Sequence, residues 1–200
     1  MNHLRYAGLP HDQQIAALED IVRTEPLLMR VLRTLRDLDL PDAWLTSGAI
    51  YNTAWNRLTG KPSLTGIKDF DIIYFDDTDL SYEAEDRVIA RVAAALGGIG
   101  VPVEVRNQAR VHLWYPERFG SAYPKLAHAT QSLDYYASQT HAVAMCLKAD
   151  DTFETVAPFG LDFMFSFRMV PNRVLDNRET HEEKSARAKA IWPEIEIEPW

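Results

Sequence analysis

The chain has 200 residues, 46% of them hydrophobic, 10% aromatic and 25% charged, which is the composition of a globular protein with enough apolar side chains for a sizeable core. Its 29 acids against 21 bases leave a formal charge of −8. That balance argues against broad, non-specific binding to nucleic acid or an anionic membrane, and leaves room only for a small local basic site.

From the N-terminus, Ile15, Leu18, Ile21 and Val22 recur at helical spacing, followed by Leu28, Val31, Leu32, Leu35 and Leu38 on one face of a second helix. Pro26 suits the first turn of that helix and Pro41 closes it; Arg30, Arg33 and Arg36 fall on its solvated face. Nothing before these helices has the apolar core of about 7–15 residues that a signal peptide needs, and no stretch approaches the about 20 apolar residues that span a bilayer. Ala43-Trp44-Leu45-Thr46 reads as a short strand. It runs into Ser47-Gly48 and then a helix from Ala49 to Leu58, ended by Gly60 and Pro62. A helix start offers unpaired N–H groups and the positive end of the dipole, glycine admits close approach, and serine adds a donor, so this turn suits a phosphate; a plain helix cap is the competing reading.

The stretch Lys68-Asp69-Phe70-Asp71-Ile72-Ile73-Tyr74-Phe75 reads as a strand with Asp69 and Asp71 on one face. Carboxylates so placed repel each other and are relieved by a divalent cation, which suits Mg²⁺ with its preference for one or two carboxylates plus phosphate oxygens; solvated acids at the edge of a strand are the competing reading. Asp76, Asp77 and Asp79 lack the spacing of a calcium loop. With Ser81, Glu83 and Glu85 they lead into a helix carrying Val88, Ile89, Val92, Ala93 and Leu96, which stops at Gly97-Gly98. Val101 to Arg106 is a further strand, with Glu104 opposite Val103 and Val105 and so a third acid. Arg106 and Arg110, with Lys68, are candidate phosphate ligands; as partners of Glu104 or Asp69 the two arginines are structural instead.

Residues 107–115 are rich in β-formers and read as turning into another strand, Pro116 to Pro124 as a loop, and 125–140 as either helix or irregular chain. Ala142–Lys148 and Phe153–Val156 read as a hairpin around Asp150-Asp151, and Asp162 as the cap of a short Leu161–Phe165 helix. A charged helix from Glu179 to Ile191 closes on Trp192-Pro193. Cys146, the lone cysteine, lies in an apolar run and reads as an inert thiol in a reducing compartment, so the chain is expected to be cytoplasmic. The six histidines include no pair at three- or four-residue helical spacing, and no Gly-x-Ser-x-Gly, P-loop or Gly-x-Gly-x-x-Gly occurs.

Taken in order, Thr46–Asn56, Lys68–Phe75, Val105–Trp114 and Ala157–Asp162 resemble the bacterial nucleotidyltransferase-like family of the DNA polymerase beta superfamily, over roughly residues 40 to 195. The resemblance implies an α/β fold, a small mixed sheet with flanking helices, in one domain over 1–200 with an N-terminal helical pair at about 11–39 and a C-terminal helix at about 179–191. It implies that Ser47 and Gly48 hold nucleotide phosphates and that Asp69, Asp71 and Glu104 hold two Mg²⁺ (or Mn²⁺) ions. The ions would serve transfer of a nucleoside monophosphate from a nucleoside triphosphate to a hydroxyl-bearing acceptor. The Ser-Gly order of the turn and the long interval to Asp69 depart from the family's minimal pattern. A non-catalytic nucleotide-binding module and a metal-dependent phosphoester hydrolase are the alternatives.

Overall fold

Helical spacing of apolar residues builds the N-terminal pair. α1 (His11–Arg23) buries Leu18, Ile21 and Val22, while α2 (Pro26–Leu38) buries Leu28, Val31, Leu32 and Leu35 and carries Pro26 at its first position. A computed structural model describes residues 2–200. No described helix is long and apolar enough to cross a membrane.

The sheet is mixed. Its strands are β1 (Trp44–Thr46), β2 (Phe70–Tyr74), β3 (Val103–Asn107), β4 (Ala144–Leu147) and β5 (Phe153–Val156), in the spatial order β3-β2-β1-β4-β5. β2 and β3 run parallel, and the remaining pairs are antiparallel. A parallel pair needs a crossover, and α4 (Tyr82–Ala95) supplies it; Ser81 caps α4 by accepting the Ala84 N–H at 3.2 Å. α3 (Gly48–Thr59) leaves the end of β1, and the expected β4–β5 hairpin is present.

Period-two alternation divides the sheet into two faces. Phe70, Ile72, Tyr74 and Val105 join the main core with α1, α2 and α3, whereas Ile73 joins a smaller cluster with Trp44, Ala129, Leu133 and Ala144 on the other side. Asp71 shares that second face. Cys146 is half-buried in β4, where burial pushes its thiol up to about 11 and keeps it protonated.

Residues 107–115 depart from expectation. β3 stops at Asn107, whose Oδ1 accepts the Ala109 and Asp76 N–H groups while its Nδ2 donates to the Asp76 carbonyl at 2.8 Å. The chain then turns into α5 (Val111–Phe119), which contains Pro116 and ends on Gly120 at φ 71°. β3 keeps its outer edge unpaired, and tertiary context overrides the β-propensity of Val111 to Tyr115.

The ambiguous 125–140 segment resolves into 3₁₀ turns at Ala129–Tyr135 and Gln139–His141. Asp162 is the first residue of α6 (Asp162–Phe165) and does not cap it. Its carboxylate instead accepts the Gly8 N–H at 2.7 Å and Gln14 Nε2 at 2.9 Å, tying the helix to the N-terminal segment. Of the arginines on the outer face of α2, Arg30 reaches the Gly97 carbonyl at 2.9 Å and Arg36 pairs with Asp37 and Asp151. β6 (Arg168–Met169), α7 (Arg178–Ile191) and β7 (Glu196–Ile197) finish the chain, and Trp192 plugs into the main core beside Trp55.

Candidate active site

Strand register assembles the acids. Thr46 lies opposite Asp71 in the β1–β2 pair, and Asp71 lies opposite Glu104 in the β2–β3 pair, so one row crosses three adjacent strands. Register partners present their side chains to the same face. Asp69, one residue before β2, completes the group: it, Asp71 and Glu104 each offer an oxygen, and these oxygens lie within 4.8 Å of one another. Among the described residues this is the one such group of three or more potential metal ligands. Burial first, and then the neighbouring Asp69 charge, push the Asp71 carboxyl up to about 6, with Glu104 adding to the rise. An all-oxygen donor set that crowds negative charge fits a hard divalent cation such as Mg²⁺ or Mn²⁺.

Arg106 Nη2 donates to Glu104 at 2.7 Å, and both side chains are about half exposed. The pairing that sequence reading held open as a competitor therefore exists. It does not draw Glu104 out of the cluster, since the same carboxylate remains within reach of both aspartates.

The turn at Ser47-Gly48 is not a plain cap. Ser47 is buried at φ 55°, ψ −120° and makes no side-chain capping bond to α3. Such a conformation costs a non-glycine residue about 1–3 kcal/mol and is retained mainly at functional positions. Its backbone is fully engaged: the N–H donates to the Val143 carbonyl at 2.9 Å, and the carbonyl accepts Ile50 N–H at 2.9 Å and Tyr51 N–H at 3.1 Å. Gly48 has no positive φ, and a Cβ there would meet Asn52 Nδ2 at 3.6 Å and Tyr51 Oη at 3.8 Å, ordinary contact distances. The fold itself therefore accepts a small side chain at 48. Of the first amides of α3, those of Ile50 and Tyr51 are taken by the Ser47 carbonyl, and those of Gly48 and Ala49 have no intrahelical acceptor.

A cleft of about 370 Å³ opens against Ser47, Asp71 and Glu104. Among its wall residues that escaped sequence reading are Lys184 and His141. Lys184 reaches in from α7, where its ammonium partly offsets the rise at Asp71. His141 stacks on Tyr51 at 4.5 Å with rings 14° apart; burial holds it neutral, well below the usual histidine range, and its Nε2 has no hydrogen-bond partner. The available signal for Lys184 was the inward stripe His181, Ser185 and Ala188 on α7, beside which it falls.

The three expected phosphate cations fare differently. Arg106 lines the cleft, and Lys68 is exposed outside its walls. Arg110 is engaged elsewhere. Its guanidinium is tied to the buried carboxylate of Glu85 and its Nε donates to the Leu80 carbonyl at 3.0 Å, while Glu85 also accepts the Asn107 N–H at 2.8 Å. Arg110 thus locks α4 to the end of β3, and its charge is already spent within the protein.

The profile of a nucleotidyltransferase family matches residues 33–197. The chain belongs to this nucleotidyltransferase family. The matched span contains the acids, the Ser47-Gly48 turn and Lys184. A solved structure described as revealing a CCA-adding enzyme head domain superposes on this chain with a TM-score of 0.71 at 24% sequence identity, covering 91% of this chain and 96% of the other. That likeness establishes a shared fold. No curated protein matches the sequence.

Proposed function

We propose that the protein transfers a nucleoside monophosphate from a nucleoside triphosphate to a hydroxyl acceptor, with Asp69, Asp71 and Glu104 holding the divalent cations. The observation that supports this reading is the approach of those carboxylates to within 4.8 Å beside the strained Ser47, which lines the same cleft as Asp71 and Glu104. Bound there, Mg²⁺ or Mn²⁺ supplies Lewis-acid stabilisation of charge on the phosphoryl oxygens and the attacking oxygen.

The chain's own residues divide the remaining work. The open amides of α3 and the Ser47 hydroxyl receive the phosphate tail, and the glycine lets it come close. Lys184 neutralises phosphate charge from the opposite wall, a role the reading assigns to it in place of Arg110 and Lys68. Glu104 stands on the side of the attacking hydroxyl and helps remove its proton. A new bond forms between the acceptor oxygen and the α-phosphorus, the bond from that phosphorus to the bridging oxygen breaks, and pyrophosphate leaves with the electron pair.

The test is incubation of the purified protein with each nucleoside triphosphate, Mg²⁺ or Mn²⁺, and a pool of metabolites or RNA, with pyrophosphate as the readout. Metal- and acceptor-dependent pyrophosphate release is expected. Metal-dependent triphosphate binding without turnover would transfer the assignment to a nucleotide-binding module, and phosphate ester cleavage with water as sole acceptor would make it a hydrolase.

A further inference from the structure

The cleft that begins at Asp71 and Glu104 has an aromatic wall that neither apolar core uses. Trp114, Tyr115 and Phe119 of α5, Tyr123 of the following loop and Tyr135 of the 3₁₀ turn all line it, and none belongs to the main core or to the smaller cluster behind Ile73. The rings touch in series: Tyr115 to Phe119 at 4.6 Å, Tyr115 to Tyr123 at 4.7 Å and Tyr123 to Tyr135 at 5.3 Å between centroids. Phe119 is 53% exposed, so the outer end of the wall is open to solvent. Arg106 and Arg118 line the same cleft and add positive charge beside the rings.

The rings form a small satellite cluster of their own, and Phe119 at its outer end is left 53% exposed on a cleft that reaches the carboxylates, which burial for stability alone does not require. Flat π-faces with phenolic hydroxyls and nearby guanidinium groups form the surface on which nucleic-acid bases stack. The cleft's volume of about 370 Å³ is within the range of small-ligand sites. β3, which carries Glu104, leads through Asn107 into α5, so Trp114, Tyr115 and Phe119 follow the acid closely in the chain.

We propose that Trp114, Tyr115, Phe119, Tyr123 and Tyr135 form a subsite that stacks a nucleobase. The inference rests on the nucleotidyl-transfer reading for its neighbouring phosphate site. The base belongs either to the nucleoside triphosphate or to the terminal nucleoside of the acceptor, and the same rings serve both.

Calorimetry on the whole protein with Mg²⁺ separates these sources, using the four nucleoside triphosphates, inorganic tripolyphosphate and a short single-stranded oligoribonucleotide ending in a free 3′-hydroxyl. Tyr123→Leu interrupts the wall, and Phe119→Ala removes a ring whose exposure makes it dispensable for folding; circular dichroism checks both. If the triphosphate's base stacks here, nucleoside triphosphates bind about tenfold or more tightly than tripolyphosphate, and the variants erase that difference while leaving tripolyphosphate unchanged. If the acceptor's base stacks here, the oligonucleotide loses about tenfold or more in the variants, with triphosphate binding untouched. Wild-type binding of every probe by both folded variants overturns the subsite. Absence of Mg²⁺-dependent tripolyphosphate binding, with base-dependent binding still lost in the variants, overturns the phosphate-site reading and upholds the stacking wall.

Discussion

Glu104 faces Asp71 across the parallel β2–β3 register and at the same time accepts a 2.7 Å hydrogen bond from Arg106 Nη2. Its carboxylate is thereby oriented by one residue and placed beside the two aspartates by the other. An acid on the side of the attacking hydroxyl stabilises charge that develops mainly in the transition state. Glu104→Gln is expected to leave triphosphate affinity within a few-fold and lower turnover by about a hundredfold or more. Single-turnover kinetics beside calorimetry checks this, and equal losses in binding and turnover would remove Glu104 from the chemical step.

Asp71 carries an electrostatic cost in the metal-free protein. Its folded-state value of about 6 exceeds the ordinary 3.8, so between those pH values the native state holds a proton that the unfolded chain has released. Stability therefore falls as pH rises through that interval, and the penalty is fully present at neutral pH. Asp71→Asn should flatten this slope and stabilise the metal-free protein at pH 7 by about 1–2 kcal/mol. The Asp69→Asn, Asp71→Asn double variant should lose Mg²⁺-dependent triphosphate binding while remaining folded. Urea titrations from pH 4 to 8 in chelator read the first effect, and calorimetry with Mg²⁺ reads the second.

Ser47 and Gly48 offer a stability–function contrast. Ser47→Gly relieves the φ 55° backbone and is expected to raise stability by about 1 kcal/mol, while weakening triphosphate binding modestly through loss of one hydroxyl. Gly48→Val has room for its Cβ at ordinary contact distances, and the folded variant should bind triphosphate about tenfold or more weakly because its side chain blocks close approach. Undiminished triphosphate binding by a folded Gly48→Val protein would reduce the turn to a helix start.

Lys184→Met removes the cation from the α7 wall of the cleft. The expected result is triphosphate affinity about tenfold lower, partly restored in Lys184→Arg, with unfolding midpoints close to wild type because the side chain makes no ion pair among the described residues. Identical affinity in Lys184→Met and wild type would exclude a phosphate contact.

Arg110→Met strands the Glu85 carboxylate in a buried site. Breaking one side of such a pair costs about 3–5 kcal/mol, so a clear fall in Tm is expected. Protein that remains folded should bind triphosphate as wild type does. A selective loss of binding without destabilisation would restore Arg110 to the site.

How far the site could be read from the sequence depended on the range of the forces involved. Period-two alternation put Asp69 and Asp71 on one face, and the core-seeking Val103 and Val105 turned Glu104 outward, because strand geometry and hydrophobic burial act within a few residues. The Ser47-Gly48 turn was visible for the same reason, lying between a short apolar strand and a helical pattern. Which acids actually meet was decided by register, since Asp71 and Glu104 become neighbours only once β3 pairs parallel to β2. Val111–Phe119 forms a helix despite its β-formers, and the buried Glu85 pairs with Arg110, both outcomes of contacts distant in the chain. Lys184 and the rings from Trp114 to Tyr135 reach one cleft from segments far apart in the chain. Their convergence, like the φ of Ser47, follows from packing between elements, which local propensity does not encode.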